Sequence, residues 1–310
     1  MPGSNASVEA IPIELDPEDP APKRLGGLTF LSGFELRSSD PRFGGLSGLA
    51  LGADGRALYA VSDRGYWVSA IMRHDKDGRI TAIGGWKIGS LLTPEGAAVK
   101  GRLTDAEALT QDRDGSFIVA FEQDHRLWRY PPPPADFSSP AQALPAPAEL
   151  VKAPRNGGIE GVAVLPDGRL LALTEEYENP DGSLKGWLIE KDRFVVVSYV
   201  PSDGFRVTDV AALSNGDVLV LERRASLTSG WGARIKLVSR ASLQAGARLK
   251  GEEIARLDPP LPVDNFEGIA VREDPEAGTL LYLISDDNYS LFQRTLLLQF
   301  RLENERKLGR

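Results

Sequence analysis

The stretch GIEGVAVLPDGRLLALTE, residues 158–175, places two apolar runs on either side of an Asp-Gly pair. Asp-Gly favours the positive φ angles of a tight β-hairpin turn, and neither run shows the period of an amphipathic helix. The stretch therefore predicts a hairpin of two short strands. Glu160 lies near the start of the first strand, and Glu175 ends the second.

The same hairpin pattern occurs five times along the chain. The other copies are LSGLALGADGRALYAVSD (46–63), DAEALTQDRDGSFIVAFE (105–122), VTDVAALSNGDVLVLE (207–222) and FEGIAVREDPEAGTLLYLISD (266–286). Their starts lie about 50 to 60 residues apart, a spacing typical of propeller blades. Further strand-like runs between the copies supply about four strands per unit. The sequence therefore predicts an all-β fold, a β-propeller of five blades, or of six if one blade has lost its Asp-Gly turn.

The two ends of the chain are expected to complete the last blade. The fifth unit is short of one strand, and the run GGLTFLSGFELR (26–37) has no hairpin partner of its own. We expect residues 27–37 to pair with a C-terminal strand around 295–302 and to close the ring. Residues 1–24 are rich in proline and acid and predict an extended, poorly packed leader. Residues 25–304 then form one propeller domain, and residues 305–310 form a tail.

Composition excludes several classes of function. The chain has 310 residues, a net charge of −8 at pH 7 and no cysteine. An acidic chain lacks the basic surface that nucleic-acid binding needs, so we expect no nucleic-acid partner. The absence of cysteine excludes disulfides, thiolate metal sites and cysteine nucleophiles. The apolar runs are shorter than the roughly 20 residues of a membrane-spanning helix, so we expect no membrane span. Nothing in the sequence indicates the oligomeric state.

The repeat places polar residues at equivalent positions in every hairpin. The position near the start of the first strand is occupied by Ser47, Glu107, Glu160, Thr208 (with Asp209 beside it) and Glu267. The end of the second strand is occupied by Asp63, Glu122, Glu175, Glu222 and Asp286. Because the start of one hairpin strand lies beside the end of the next, both sets should meet at one rim of the ring.

Crowded carboxylates repel one another unless a cation or an arginine offsets their charge. Oxygen ligands suit calcium or magnesium, so Ca²⁺ is the cofactor that the pattern favours. The expected metal ligands are Asp63, Glu107, Glu122, Glu160, Glu175, Glu267, Asp286 and Asp287. The structural alternative is that these carboxylates bond backbone amides or pair with arginines of a neighbouring blade.

Basic residues follow several of these acids. Arg64, Arg126, Arg223 and Arg294 could bind the oxygens of a phosphate ester beside a metal, or serve only as counter-ions of the acids. His125 follows Glu122 closely and is a candidate general acid or base. A serine-nucleophile elbow, a phosphate-binding Walker loop and a zinc-protease helix motif are all missing from the sequence.

Several motifs resemble the bacterial phytase-like domain family, described as having esterase-like activity of phytase. They include DPRFGGLSGLAL (40–51), FEQDHRLWRY (121–130), DNFEGIAV (264–271) and SDDNYSLFQRTLLLQF (285–300). The resemblance covers roughly residues 27 to 303. It implies a propeller in exported, often periplasmic, bacterial proteins, hence a periplasmic or secreted location, and a phosphoester hydrolase activity.

The expected function is therefore a divalent-metal-dependent phosphoric ester hydrolase acting at the channel mouth on a small phosphate ester or another anionic ligand. The catalytic candidates are Glu107, His125, Glu160 and Glu267, and the substrate-binding candidates are Arg64, Arg126, Arg223, Arg294 and Asn156. We expect Arg64, Glu107, His125, Glu160, Glu267 and Arg294 to converge on one mouth. One alternative is a non-catalytic, calcium-stabilised propeller of the cell envelope that binds a ligand or a protein. Another is a calcium-dependent lactonase or carboxylesterase using Asn156, Asn265 and Asn288.

Overall fold

The computed structural model describes residues 3–16, 18, 24–226 and 230–303. Within these residues, five sheets, antiparallel apart from one short edge strand, form the five blades of a β-propeller, as the repeat predicts. In the described part of the chain, four short 3-10 helices lie between strands, at Gly101–Leu103, Asp136–Ser138, Ala148–Lys152 and Arg240–Ser242. No helix in the described part of the chain is long and apolar enough to span a membrane.

The strands follow the repeat closely. Among the described residues, four strands precede the first hairpin: β1 (Ser4–Asn5), β2 (Val8–Ile13), β3 (Arg24–Leu25) and β4 (Leu28–Ser38). Blade one contains β5 (Leu46–Leu51), β6 (Ala57–Ser62), β7 (Tyr66–His74) and β8 (Ile80–Ser90), with β1 at its outer edge. Blade two contains β9 (Ala106–Gln111), β10 (Phe117–Phe121), β11 (Arg126–Tyr130) and β12 (Gln142–Leu144).

The remaining blades repeat this order from the axis outwards. Blade three contains β13 (Ile159–Val164), β14 (Leu170–Glu178), β15 (Leu184–Glu190) and β16 (Arg193–Tyr199), with β20 (Arg248–Leu249) added in parallel. Blade four contains β17 (Arg206–Ala212), β18 (Val218–Ser226), β19 (Gly230–Val238) and β21 (Glu252–Leu257). Blade five contains β22 (Asn265–Asp274), β23 (Gly278–Asp286) and β24 (Thr295–Leu302), followed by β4 and β2, with β3 pairing to β4.

The ends of the chain close the ring as expected. Strand β24 pairs antiparallel with β4, from Thr295 opposite Leu36 to Leu302 opposite Leu28. The last blade is therefore held together by strands from both ends of the sequence.

Residues 3–16 are extended, but the expectation that this part of the N-terminal segment packs poorly is wrong. Strand β2 pairs with β4 along its whole length, and Leu15 is buried in the core between blades four and five. The outermost strand of a sheet tolerates Pro12, because its outer side has no partner that needs the missing N–H. A single short edge strand carries too weak a period to be recognised from the sequence.

The five innermost strands β5, β9, β13, β17 and β22 contact one another in a ring around the axis. Glycines allow this close approach. A Cβ at Gly48 would lie 2.7 Å from the backbone nitrogen of Leu109, and one at Gly161 would lie 3.1 Å from the backbone of Asp209. The innermost strands therefore pack backbone against backbone, and the apolar cores lie between neighbouring blades.

Candidate functional site

A cavity of about 260 Å³ opens at one mouth of the central channel. It is lined by Ser47, Asp63, Asp105, Glu107, Glu122, Gln123, Asn156, Glu160, Glu175, Arg223, Glu267, Asp286 and Asn288. Eight of these side chains are carboxylates and one is a guanidinium. The cavity is therefore strongly acidic, and every blade contributes to its wall.

A β-bulge at the start of each innermost strand provides the first set of lining residues. In all five hairpins the register skips one residue at this point, which leaves that residue unpaired: Ser47, Glu107, Glu160, Thr208 and Glu267. A bulge inserts one residue into a strand and redirects its side chain. Four of the five therefore line the cavity, whereas Thr208 instead donates to the carbonyl oxygen of Phe266.

The second set lies on or directly after the second strand of each hairpin, one residue after the partner of the residue that precedes the bulge. Asp63, Glu122, Glu175 and Asp286 line the cavity as the repeat predicts, but the expected member from blade four, Glu222, does not. Glu222 is fully buried, accepts a hydrogen bond from the hydroxyl of Tyr199 and pairs with Arg234.

The strand register explains why Glu222 does not line the cavity. Glu222 lies opposite Val207, as Thr174 lies opposite Ile159 in blade three. The equivalent of Glu175 is therefore the next residue, Arg223. Successive side chains of a strand point to opposite faces, so an error of one residue moves the side chain away from the mouth.

Arg223 therefore replaces the fifth acid of this set. Its Nε lies 3.1 Å from Oε1 of Glu267, and its Nη2 lies 3.2 Å from Oε1 of Glu175. Burial lowers the pKa of Arg223, but the carboxylates of Glu267 and Glu175 outweigh burial and raise it above its usual value. The blade-four side of the mouth is therefore a carboxylate–guanidinium–carboxylate bridge.

The opposite side of the mouth fits a cation. Carboxylate oxygens of Asp105, Glu107 and Glu122 all lie within 4.8 Å of one another. Among the described residues, Oδ1 of Asp63 is buried without a hydrogen-bond partner, and so is Oε2 of Glu267 beside the Arg223 bridge. Clustered and unsatisfied oxygens of this kind suit Ca²⁺ or Mg²⁺, which take oxygen ligands.

Asp105 is a cavity residue that the repeat pattern missed. It directly precedes β9 and stands two residues before Glu107, in the stretch DAEAL. The hairpin alignment selects one polar residue per strand start and so passes over a second one. An Asp-x-Glu spacing at a strand start was the available signal.

Burial raises the pKa values of the acids at the mouth. The pKa is raised to about 6 for Asp63, to about 7 for Glu267, and to about 8 for Glu122 and Asp286. Burial is the main cause in each case, since a low-dielectric environment disfavours the charged form. Without a cation, several of these groups hold protons at neutral pH.

Glu107 and Glu160 are shifted in the same direction. Burial and then the carboxylates of Asp105 and Glu122 raise the pKa of Glu107, and burial and then Glu122 and Glu107 raise that of Glu160. The backbone N–H of Gly158 donates a hydrogen bond to the carboxylate of Glu122. This bond and a hydrogen bond with Glu160 each lower the pKa of Glu122, but burial outweighs both. Glu122 and Glu160 are therefore neighbouring carboxyls that perturb each other's pKa in the mouth.

The other predicted arginines lie outside the cavity lining. Arg64 stacks on the ring of Tyr289, with its Cζ 3.4 Å from the ring centroid. Arg126 lies over the rings of Phe121 and Trp128 and donates to two backbone carbonyl oxygens. Burial lowers the pKa of Arg126 to about 10. These contacts use the guanidinium groups to hold local structure.

Three further predicted residues also lie outside the lining. Arg294 is an exposed residue whose Nε lies 3.8 Å from Asp264. His125 donates from Nε2 to the carbonyl oxygen of Pro154 at 3.0 Å, and its Nδ1 is buried without a hydrogen-bond partner. The carboxylate of Asp287 accepts hydrogen bonds from loop groups. Of the six residues expected to converge, only Glu107, Glu160 and Glu267 line the cavity.

The comparison with protein families agrees with these motifs. The model of the phytase-like family, described as esterase-like activity of phytase, matches residues 41–289. The chain belongs to the phytase-like family. The phytase-like region includes all five hairpins, and therefore both sets of residues at the mouth. No curated protein matches the sequence significantly.

Solved structures similar to this phytase-like chain are propellers with low identity. A structure described as a putative gluconolactonase is 13% identical, covers 96% of this chain and 95% of its own, and has a TM-score of 0.48. A gluconolactonase from Xanthomonas campestris is also 13% identical, with coverages of 97% and 98% and a TM-score of 0.43. The PQQ-bound aldose sugar dehydrogenase of Streptomyces coelicolor is 14% identical, with coverages of 91% and 100% and a TM-score of 0.45.

Proposed function

We propose that this phytase-like protein is a divalent-cation-dependent ester hydrolase whose reaction takes place at the acidic mouth, with phosphoric esters as substrates. The observation that carries the proposal is the cluster of Asp105, Glu107 and Glu122, whose oxygens lie within 4.8 Å of one another in a cavity lined by eight carboxylates. An apolar or structural channel mouth would not concentrate so many buried acids, because each costs free energy on desolvation.

In this proposal Asp105, Glu107 and Glu122 hold the cation, with the unsatisfied oxygens of Asp63 and Glu267 facing the same mouth. When bound, Ca²⁺ or Mg²⁺ would withdraw charge from the ester and make water easier to deprotonate. The cation would also offset the repulsion among the acids.

In this proposal Glu160, which lies in the same cavity outside the cation cluster, is the general base. A carboxylate with a raised pKa is a stronger base than an ordinary surface glutamate. In the proposed reaction Glu160 accepts the proton of the attacking water as its oxygen bonds to phosphorus. The bond between phosphorus and the ester oxygen breaks, and this oxygen takes a proton from solvent water and is released as the alcohol. Glu160 then returns its own proton to solvent. No covalent intermediate with the protein is required.

Arg223 would orient the substrate, since it is the one guanidinium in the cavity lining. Its charge is already shared between Glu267 and Glu175, so it cannot by itself neutralise a phosphate dianion. Phosphate esters should therefore depend strictly on the cation. The same observation favours a second candidate, hydrolysis of an uncharged lactone or carboxylic ester, which would be repelled less by the remaining acids.

The test is a panel of phosphomonoesters, phytate, lactones and carboxylic esters, each assayed with calcium and with chelator. Glu160→Gln is the active-site variant, and Glu190→Gln, an exposed residue at the end of β15, is the matched control. We expect phosphate release that chelator and Glu160→Gln abolish and Glu190→Gln leaves unchanged. Hydrolysis of lactones alone would support the second candidate. No hydrolysis of any ester would contradict both.

A further inference from the structure

The loop between β23 and β24 exposes two adjacent large apolar side chains. Leu291 is 100% exposed and Phe292 is 96% exposed. The other large apolar residues that are exposed in the described part of the chain, Ile71, Val151 and Val196, are isolated from one another in sequence. Single exposed apolar residues are common on protein surfaces, but an adjacent pair beside a cavity calls for a reason.

The loop is fixed at its base, so the exposure of its tip is a property of the fold. The carboxylate of Asp287 accepts hydrogen bonds from the backbone N–H groups of Gly45 and Tyr289, both at 3.0 Å, and from the hydroxyl of Thr295 at 3.1 Å. The ring of Tyr289 is also covered by the guanidinium of Arg64.

The far end of the loop is anchored as well. Asp264 accepts a hydrogen bond from the backbone N–H of Arg294 at 3.0 Å, and the hydroxyl of Ser285 donates to the carbonyl oxygen of Arg294 at 2.6 Å. Between these anchors, the tip carries Leu291 and Phe292 into solvent.

The same loop belongs to the wall of the acidic mouth. Asp286 and Asn288 line the cavity, and Leu291 follows Asn288 by three residues. Three residues of chain span at most about 11 Å. Leu291 therefore lies within about 11 Å of a lining residue of the cavity. The lining itself is polar, with no apolar side chain to receive a hydrocarbon group.

We propose that Leu291 and Phe292 form an apolar subsite that binds the hydrocarbon portion of an amphiphilic ester while its polar ester group enters the mouth. This inference rests on the proposed function. The continuity of the loop with the cavity wall favours the substrate as the occupant. An anionic lipid surface fits less well, because the acids at the mouth and the net charge of −8 would repel it.

The test uses n-alkyl phosphates of increasing chain length, which share one reacting group. Methyl, butyl and octyl phosphate are assayed below their aggregation concentrations, with calcium. In the wild type we expect kcat/KM to rise about 10- to 100-fold from methyl to octyl phosphate, as covering part of two large apolar side chains allows. In the double variant Leu291→Ser, Phe292→Ser this rise should disappear, while methyl phosphate is turned over as before.

Val196→Ser is the control, because Val196 is a half-exposed apolar residue on the outer strand of blade three. It should keep the full dependence on chain length. The same dependence in wild type and double variant would overturn the proposal. The proposal would also be overturned if the wild type were a dimer and the double variant a monomer. It would likewise be overturned if the wild type bound lipid vesicles, the double variant did not, and neither showed a dependence on chain length.

Failure of the proposed function can be separated from failure of this subsite. If no alkyl phosphate is hydrolysed, calorimetric binding of octyl and methyl phosphate still reports on the loop. Tighter binding of octyl phosphate in the wild type, absent in the double variant, would support the subsite even without catalysis. Equal binding of the two phosphates to the wild type would overturn it.

Discussion

Replacing Arg223 by glutamine removes the positive charge between two acids of the mouth. Its ion pairs with Glu267 and Glu175 measure 3.1 and 3.2 Å, and the side chains of Arg223, Glu267 and Glu175 are 24%, 7% and 12% exposed. Breaking a buried ion pair by removing one partner costs about 3–5 kcal/mol. Because Arg223 retains some exposure, we expect a loss near the lower end, about 3 kcal/mol at about pH 8.

The loss should depend on pH in a defined direction. Burial raises the pKa of Glu267 to about 7 although Arg223 lowers it, so the pKa rises further when Arg223 is removed. At about pH 5 the carboxyl of the variant is protonated, and little uncompensated charge remains. The destabilisation should then fall to below about 1 kcal/mol.

Urea unfolding of chelator-treated protein at both pH values measures this effect. The matched control is Arg224→Gln. Arg224 forms a 3.8 Å ion pair with Asp258, in which both side chains are about one-third exposed, and its Cζ lies 4.7 Å from the ring centroid of Phe205. We expect the control to lose less than about 1 kcal/mol at either pH. Equal losses for the two variants at the higher pH, or a pH-independent loss for Arg223→Gln, would refute the reasoning.

Three further outcomes follow from the structure. Arg126→Lys should lower the free energy of unfolding by about 2 kcal/mol, because lysine cannot both stack on Phe121 and Trp128 and make the two hydrogen bonds. The KM for any substrate should stay unchanged. Gly268→Ala should lower the melting temperature, with a cost of about 1–3 kcal/mol, because the new Cβ would lie 3.0 Å from the backbone nitrogen of Leu49. With chelator present, the free energy of unfolding should fall as pH rises from about 5 to about 8, and calcium should flatten this dependence. The folded acids, with pKa values raised to between about 6 and about 8, retain protons that unfolded carboxyls release near pH 4.

The blades could be predicted from the sequence because their signals are local. Four of the hairpins have an Asp-Gly or Asn-Gly turn, which specifies a hairpin by its own backbone preference, and the fifth turns at Ala277-Gly278. Five copies at this spacing specify a ring. The closure of the ring by β4 and β24 could also be predicted. The last hairpin unit lacked one strand, and the N-terminal run GGLTFLSGFELR had no hairpin partner. The position of Glu160 and Glu267 at the mouth followed from the phase of the repeat.

The direction of individual side chains could not be predicted in the same way. Glu222 and Arg223 are adjacent, and only the observed register shows which of them faces the mouth. Arg126 follows an acid in the sequence but stacks on Phe121 and Trp128, which are contacts that adjacency does not reveal. The bulges that redirect the polar side chains are also visible only in the strand pairing.

The central claim, that the acids of the mouth form a divalent-cation site, is tested most directly by calorimetric titration of chelator-treated protein with Ca²⁺ at neutral pH. The variants are Glu107→Gln, which removes one charge from the cluster with Asp105 and Glu122, and the exposed control Glu190→Gln. We predict saturable binding of Ca²⁺ by the wild type and by Glu190→Gln, and at least tenfold weaker binding by Glu107→Gln. At a hundredfold excess of Ca²⁺ over Kd, the free energy of unfolding of the wild type should rise by about 2.7 kcal/mol. No binding to the wild type, or equal affinity for the wild type and Glu107→Gln, would contradict the claim.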